Sequence, residues 1–255
     1  MPFNPTLYKA LSFDVYGTLV DWETGIYTAL LPLLSSLPLQ HASLNSRKSA
    51  LNAYAILEHR VQSENPSLLY PQVLSAVYSR LARDYGVTFK KEEADAFGAG
   101  IGSWPAFPDT VEALKTLGKY YKLIVLSNVD KPSFAASNFG PMRGVKFDGI
   151  YTAQDIGSYK PDPRNFEYLF SHAEVDFGVK KNEILKVAQS LFHDHRTAKK
   201  MEMEPSVWIH RLPAGEEAVM GGVYEDLKGE VNLAAEYGTL GEFAEAVEKA
   251  FKREK

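Results

Sequence analysis

Three short apolar runs in this chain each give way to a polar residue capable of chemistry. Leu11-Ser-Phe13 stops at Asp14, Leu123-Ile-Val-Leu126 at Ser127-Asn128, and Ile184-Leu-Lys-Val-Ala188 shortly before Asp194. A fourth polar pair, Lys160-Pro161, follows Tyr151 and a polar loop. Short apolar runs bounded by turn signals read as buried strands. The segments between them carry helical spacing, and strands alternating with helices predict a parallel, doubly wound sheet. In such a sheet the carboxyl ends of the strands share one edge, where ligands bind. An α/β chain with a Rossmann-like sheet and helices on both faces is therefore expected, with Asp14, Ser127, Lys160 and Asp194 delivered to one edge.

The alternation is interrupted once. After a strand over 7–13, apolar spacing predicts a helix over 22–37, bent at Pro32, and then a polar loop over 38–46. Ser46 is placed to cap a helix with Leu51, Tyr54, Leu57 and Val61 on one face. A third helix carries Tyr70, Val73, Leu74, Val77 and Leu81 and closes at Gly86, and a shorter one spans 92–97. Successive helices with no strand between them indicate an insertion, so a helical cap is expected over 21–100 and an α/β core over 1–20 and 101–255. Gly98, Gly100 and Gly102 are placed to act as a hinge at the return. Beyond it, Asp109 should cap a helix running to residue 117. Strands follow at 122–126, 149–152, 184–188 and 206–209, with helices at 132–138, 162–170, 197–201 and 243–251.

Composition excludes several classes. A chain of 255 residues with a hydrophobic share of 45% is large enough to bury a core without disulfides, and it has no cysteine to form one. A net charge of -4 offers no basic footprint for nucleic acid. No stretch approaches the length of a membrane span, and the amino terminus lacks the basic flank and apolar run of a secretory signal. The expectation is a cytoplasmic protein that uses neither nucleic acid nor membrane.

A carboxylate becomes a nucleophile when it is held ionised, largely desolvated and aimed at an electrophilic centre. Asp14 has that position, Gly17 permits the turn after it, and Thr18 can return a hydroxyl to it. Lys160 supplies the cation that would keep it charged. Ser127, Thr18 and nearby backbone N–H groups suit an anionic group on a substrate. His193 and His195 read as histidines bonded to the backbone at a helix start, and Tyr27, Tyr54, Tyr70 and Tyr78 as packing within the cap.

Taken in order, Asp14-x-Tyr-Gly-Thr-Leu19, Ser127-Asn128, Tyr159-Lys-Pro161 and Gln189-Ser-Leu-x-x-Asp194 resemble the motifs of the haloacid dehalogenase superfamily of hydrolases and phosphotransferases. The resemblance implies the inserted cap. Phosphatases of the superfamily carry a second aspartate two residues after the nucleophile, where this chain has Tyr16, a poor acid at neutral pH. Tyrosine there resembles the L-2-haloacid dehalogenase branch instead, whose leaving halide needs no proton.

By that resemblance Asp14 attacks the halogen-bearing carbon, Lys160 and Asp194 orient the water or take its proton, Ser127 holds the substrate carboxylate, and Asn128 lines the halide side. Tyr16, Thr18, Phe166 and Ser190 complete the substrate contacts, and Arg47 and Arg60 are the neighbouring candidates for the branch's halide-binding arginine. The branch's Ser-Ser-Asn-x-x-Asp stretch is replaced by Ala188-Gln-Ser-Leu-Phe-His-Asp194, so either Asp194 or His193 takes the acidic position.

No cofactor is required in this reading. If Mg²⁺ binds, Asp14, the backbone carbonyl of Tyr16 and Asp194 are its oxygen ligands. The expected partner is a small carboxylated substrate, with self-association into a homodimer left open. A Mg²⁺-dependent phosphatase is the enzyme alternative, and a low-turnover binding protein on the same scaffold is the alternative of a different class.

Overall fold

The computed structural model of this protein describes residues 3–38, 41, 46–65, 68–211 and 222–253. It opens with strand β1 (Ala10–Phe13), followed by helices α1 (Trp22–Ser35), α2 (Arg47–Glu64), α3 (Tyr70–Asp84), α4 (Lys91–Ala99) and α5 (Thr110–Leu117). Strand β2 (Lys122–Ser127), helix α6 (Lys131–Phe139), strand β3 (Gly149–Thr152) and helices α7 (Ala153–Ile156) and α8 (Arg164–Phe177) come next. The chain then runs through β4 (Ile184–Ala188), α9 (Arg196–Lys200), β5 (Ser206–Ile209), α10 (Tyr224–Leu227), β6 (Leu233–Tyr237) and α11 (Leu240–Arg253). Contacts divide it into two compact units, one of residues 1–20, 106–128 and 142–255, the other of residues 21–105 and 129–141.

The first unit is a six-stranded sheet of order β3-β2-β1-β4-β5-β6 in which every neighbouring pair is parallel. This is the doubly wound α/β arrangement, and its order reverses direction between β1 and β4. The carboxyl ends of those two strands therefore flank the crevice where such sheets bind ligands, and Asp14 and the 189–194 segment follow them. Ala10, Leu11, Ser12 and Phe13 are fully buried, as are Ile124, Val125 and Leu126. A sheet covered on both faces needs such continuous apolar strands. On one face Phe166, Leu169 and Ala173 of α8 pack with Ala10, Ile124, Leu126 and Ile184. Each large apolar side chain so buried contributes about 1.5–3 kcal/mol.

The second unit is helical. Ser46 caps α2 by accepting a hydrogen bond from Ser49 N, and Leu51, Tyr54, Leu57 and Val61 are buried along one face. Pro32 lies inside α1. Gly86 stands just past α3 with φ of 69°, a conformation that glycine adopts without penalty. The loop expected at 38–46 falls mostly outside the described residues.

Several expectations need correction. The first strand begins at Ala10 rather than residue 7, because Pro5–Leu7 form a 3-10 turn capped by Asn4 and Leu7 is exposed. Asp109 precedes α5 without capping it through its side chain, since its carboxylate accepts from Arg211 at 2.5 Å and from Gly241 N at 2.9 Å. The helix expected at 162–170 starts at Arg164 and continues to Phe177, where Gly178 in the left-handed conformation ends it. Strand β6 was not anticipated: Leu-Ala-Ala-Glu-Tyr lacks a buried face and lies at the sheet's edge.

Two of the glycines named for a hinge, Gly98 and Gly102, make close approaches within the helical unit. A Cβ on Gly98 would lie 2.3 Å from Pro71 O, and one on Gly102 would lie 2.4 Å from Ala136 Cβ. The second of these approaches joins α6 to the 100–103 turn, and residues 129–141 group by their contacts with the helical unit.

Candidate active site

Asp14 leaves the end of β1, and its backbone N–H donates to Val187 O of β4 at 3.3 Å. The turn that follows is closed by Gly17, whose N–H donates to Val20 O at 2.8 Å and whose φ of 95° suits glycine. This turn brings Thr18 back, and its hydroxyl donates to Asp14 Oδ2 at 2.8 Å. Thr18 Oγ1 in turn accepts from Gln189 N at 2.9 Å, so one threonine ties the end of β1 to the end of β4.

Lys160 reaches the other carboxylate oxygen. Its Nζ lies 2.8 Å from Asp14 Oδ1 and donates to Asp194 Oδ1 and Oδ2 at 2.8 and 3.1 Å. One ammonium thus bridges two carboxylates. Burial pulls the Lys160 pKa down, but Asp14 and Asp194 together outweigh it and the net shift is upward. Asp194 is buried, which alone would raise its pKa; the two lysines beside it reverse the sign and hold it well below the usual range. Of the four ionic side chains here, Asp14 has 10% of its surface open, against 0 or 1% for Lys160, Asp194 and Lys186.

The register left open between His193 and Asp194 is decided by the backbone. Residues Leu191–His195 form a turn of π-helix, in which Asp194 N and His195 N both approach Ser190 O. This wider turn accommodates an extra residue. Asp194 is thereby carried onto Lys160, while His193 turns to Ser190, Nδ1 to Oγ at 3.1 Å. His195 is fully buried: Nε2–H donates to Ala188 O at 2.9 Å, and Nδ1 pairs with Ser206 Oγ at 2.6 Å. Burial pushes its pKa down to about 4, so it is neutral and belongs to the core.

Three expected substrate contacts are placed differently. Asn128 Oδ1 accepts from Lys160 N at 2.6 Å and its Nδ2 donates to Lys160 O at 3.0 Å, so its amide holds the lysine's main chain. Phe166 has no exposed surface and packs in the core under the sheet. Ser190 Oγ caps the π turn by accepting from His193 N. Ser127, by contrast, ends β2 with a buried hydroxyl that has no hydrogen-bond partner among the described residues. Tyr16 is partly exposed, and its backbone bridges to Val20. In the helical unit, Arg47 pairs with Glu23 at 3.4 Å.

Two charged residues were not anticipated. Lys186, in the middle of β4, is fully buried, and its Nζ lies 2.8 Å from Asp194 Oδ1. Its pKa is lowered, first by burial and then by Lys160, against the pull of Asp194. A charge inside an otherwise apolar strand was the signal for it. Arg211 follows β5; its Nε donates to Thr18 O at 2.8 Å, its Nη1 pairs with Asp109 at 2.5 Å, and its guanidinium stacks 4.2 Å over Phe107. No motif announced it.

The donor set does not fit a divalent cation. Thr18 and Lys160 each bond one oxygen of Asp14, and two ammonium groups, Lys160 and Lys186, surround Asp194 and offset the negative charge a cation would need. No cluster of three metal-ligating His, Cys, Asp or Glu side chains occurs among the described residues. No helix among them is long and apolar enough to cross a membrane.

Residues 8–188 match the family model described as haloacid dehalogenase-like hydrolase. The chain is 24% identical over 185 residues to (S)-2-haloacid dehalogenase 4A of Burkholderia cepacia, covering 71% of this chain and 75% of that one. It is 25% identical over 231 residues to (S)-2-haloacid dehalogenase of Pseudomonas sp. (strain YL), covering 86% of each. Among solved structures, the L-2-haloacid dehalogenase from Xanthobacter autotrophicus with chloropropionic acid covalently bound superposes with a TM-score of 0.72 at 16% identity, over 94% of this chain and 98% of that one.

Proposed function

This chain belongs to the haloacid dehalogenase-like hydrolases, and on that premise we propose that it hydrolyses a small 2-halo carboxylic acid through a covalent ester on Asp14. The observation that carries this reading is the single ammonium of Lys160 shared between a partly open carboxylate, Asp14, and a closed one, Asp194. The pair provides a carboxylate nucleophile held in place by a cation that is itself held in place.

In the first step Asp14 attacks C2 of the substrate, a C–O bond forms, the carbon–halogen bond breaks, and halide leaves with the electron pair. The carbon inverts. Water then adds to the ester carbonyl of Asp14, and charge develops on the carbonyl oxygen within reach of the Lys160 ammonium and the Thr18 hydroxyl. Collapse breaks the bond to the alkyl oxygen. The 2-hydroxy acid leaves with one water proton, the other passes to solvent, and Asp14 returns as carboxylate.

Ser127 suits the substrate carboxylate because its hydroxyl has no competing partner. Of the two roles expected of Asp194, orienting the water and taking its proton, the lowered pKa disfavours the second, and its contacts with Lys160 add a further one, holding the ammonium in place. Asn128 acts through Lys160. Tyr16 in place of an acid supports a leaving group that needs no proton, and the named relatives act on 2-haloacids. The Mg²⁺-dependent phosphatase reading has less support, because Tyr16 is a poor general acid and the ammonium groups of Lys160 and Lys186 offset the charge of the carboxylates.

The test is halide release from 2-chloropropionate, with loss of activity in Asp14→Asn. In a single turnover in ¹⁸O-labelled water, the label should enter the peptide containing residue 14. Halide release without that label would overturn the covalent step. No release from any short 2-halo acid would overturn the substrate.

A further inference from the structure

Lys186 stands where a lysine is expensive. Its Cα pairs in register with Ser12 of β1, both residues are fully buried, and the Phe166 ring lies 5.9 Å from its Nζ. The stem therefore crosses the apolar layer between the sheet and α8, and only its tip meets a polar group, Asp194 Oδ1 at 2.8 Å. Replacing a buried ion pair by apolar residues is often neutral or stabilising, so stability alone does not explain a lysine here. Lys160 already contacts both oxygens of Asp194, so the carboxylate does not depend on Lys186 for a partner.

Charge and position give a reason. Asp14, Asp194 and Lys160 sum to one negative charge, with two carboxylates on either side of one ammonium. Oxygen ligands with a net negative charge are what a divalent cation takes. Adding Lys186 brings the sum to zero and puts its Nζ against Asp194 at a distance similar to that of Lys160.

We propose that Lys186 is a built-in counter-cation that occupies Asp194 from beneath the sheet, positions it against Lys160, and closes the Asp14–Asp194 pair to divalent metal. This rests on reading that cluster as the active site. Its readout is cation binding, which requires no turnover.

The experiment compares Mn²⁺ binding to the full-length wild type and to Lys186→Met by calorimetry and by the Mn²⁺ EPR signal. The wild type should show no binding that depends on Asp194. Lys186→Met should bind one Mn²⁺ per chain at least about tenfold more tightly, because a unit charge beside the ligands is removed. Adding Asp194→Asn should abolish that gain. Lys186→Gln, which keeps a polar tip, is the second variant should Lys186→Met fail to fold, and the same gain is expected of it. Equal binding in wild type and a folded variant overturns the proposal, as does Asp194-dependent Mn²⁺ binding by the wild type, which requires no variant at all. A wild type inert toward 2-halo acids, together with the predicted Mn²⁺ gain, would remove the substrate assignment and leave this inference standing.

Discussion

The carboxamide of Asn128 grips the main chain of Lys160 at both polar groups, accepting from its N–H at 2.6 Å and donating to its carbonyl at 3.0 Å. The ammonium that bridges Asp14 and Asp194 is thus aimed by a residue just past the end of β2, the strand beside β1. Asn128→Ala should cost about 1–3 kcal/mol in urea denaturation, since it leaves those groups unpaired. It should lower kcat with little change in KM. Ser127→Ala should do the opposite. Its hydroxyl bonds to nothing in the described structure, so melting should be nearly unchanged while KM for a carboxylated substrate rises.

Removing the bridging cation should be felt in stability as well as turnover. Lys160→Met leaves Asp14 without its ion pair and Asp194 with Lys186 alone, and breaking a buried pair costs about 3–5 kcal/mol. Chemical denaturation of Lys160→Met and of Lys160→Met with Asp194→Asn should show the second substitution recovering part of the loss. A double variant no more stable than the single one would contradict the coupling.

His195 predicts a loss of stability in mild acid. Its folded-state pKa of about 4 lies below the ordinary histidine value of 6.5, so the unfolded chain takes up a proton that the folded one refuses. Its contribution is intact above pH 6.5 and declines as pH falls toward 4, by an amount on the order of 3 kcal/mol. Comparing the pH dependence of wild type and His195→Gln by urea titration checks this, and the variant should show the shallower slope.

The helical unit carries a carboxyl of opposite behaviour. Glu58 accepts from Tyr70 Oη at 2.5 Å and Tyr54 Oη at 3.2 Å, and burial outweighs these bonds to push its pKa up to about 7. A raised carboxyl pKa means that the folded state holds the proton more tightly, so stability falls as pH rises from the ordinary glutamate value of 4.5 through 7. Glu58→Gln removes this dependence. Relative to wild type it should gain stability between pH 5 and pH 8, measured by denaturation at each.

The strands that bury both faces were readable because apolar runs need no partner to be recognised, and β1, β2 and β4 lie within the predicted segments apart from the early start given to β1. Strand β6 escaped because Ala235 and Glu236 pair at an edge, where burial leaves no alternation to read. The close approaches of Gly98 and Gly102 were hidden for a related reason: a glycine that frees the chain and one that lets two segments touch look alike until Pro71 and Ala136 are placed against them. Phe166 carried a motif position but no sign that it faced the core.

By itself the sequence determined the alternation of elements and the polar residues that end them, since periodicity and turn chemistry are local. Which of those residues meet was decided only in three dimensions. The strand order set Asp14 beside the segment after β4, one wider helical turn carried Asp194 onto Lys160, Lys186 met Asp194 just past the end of its own strand, and Arg211 found partners from distant parts of the chain. The physical reason is that an ion pair inside a fold is set by strand order and packing, whereas spacing along a chain reports only which side chains share a strand or a helix face.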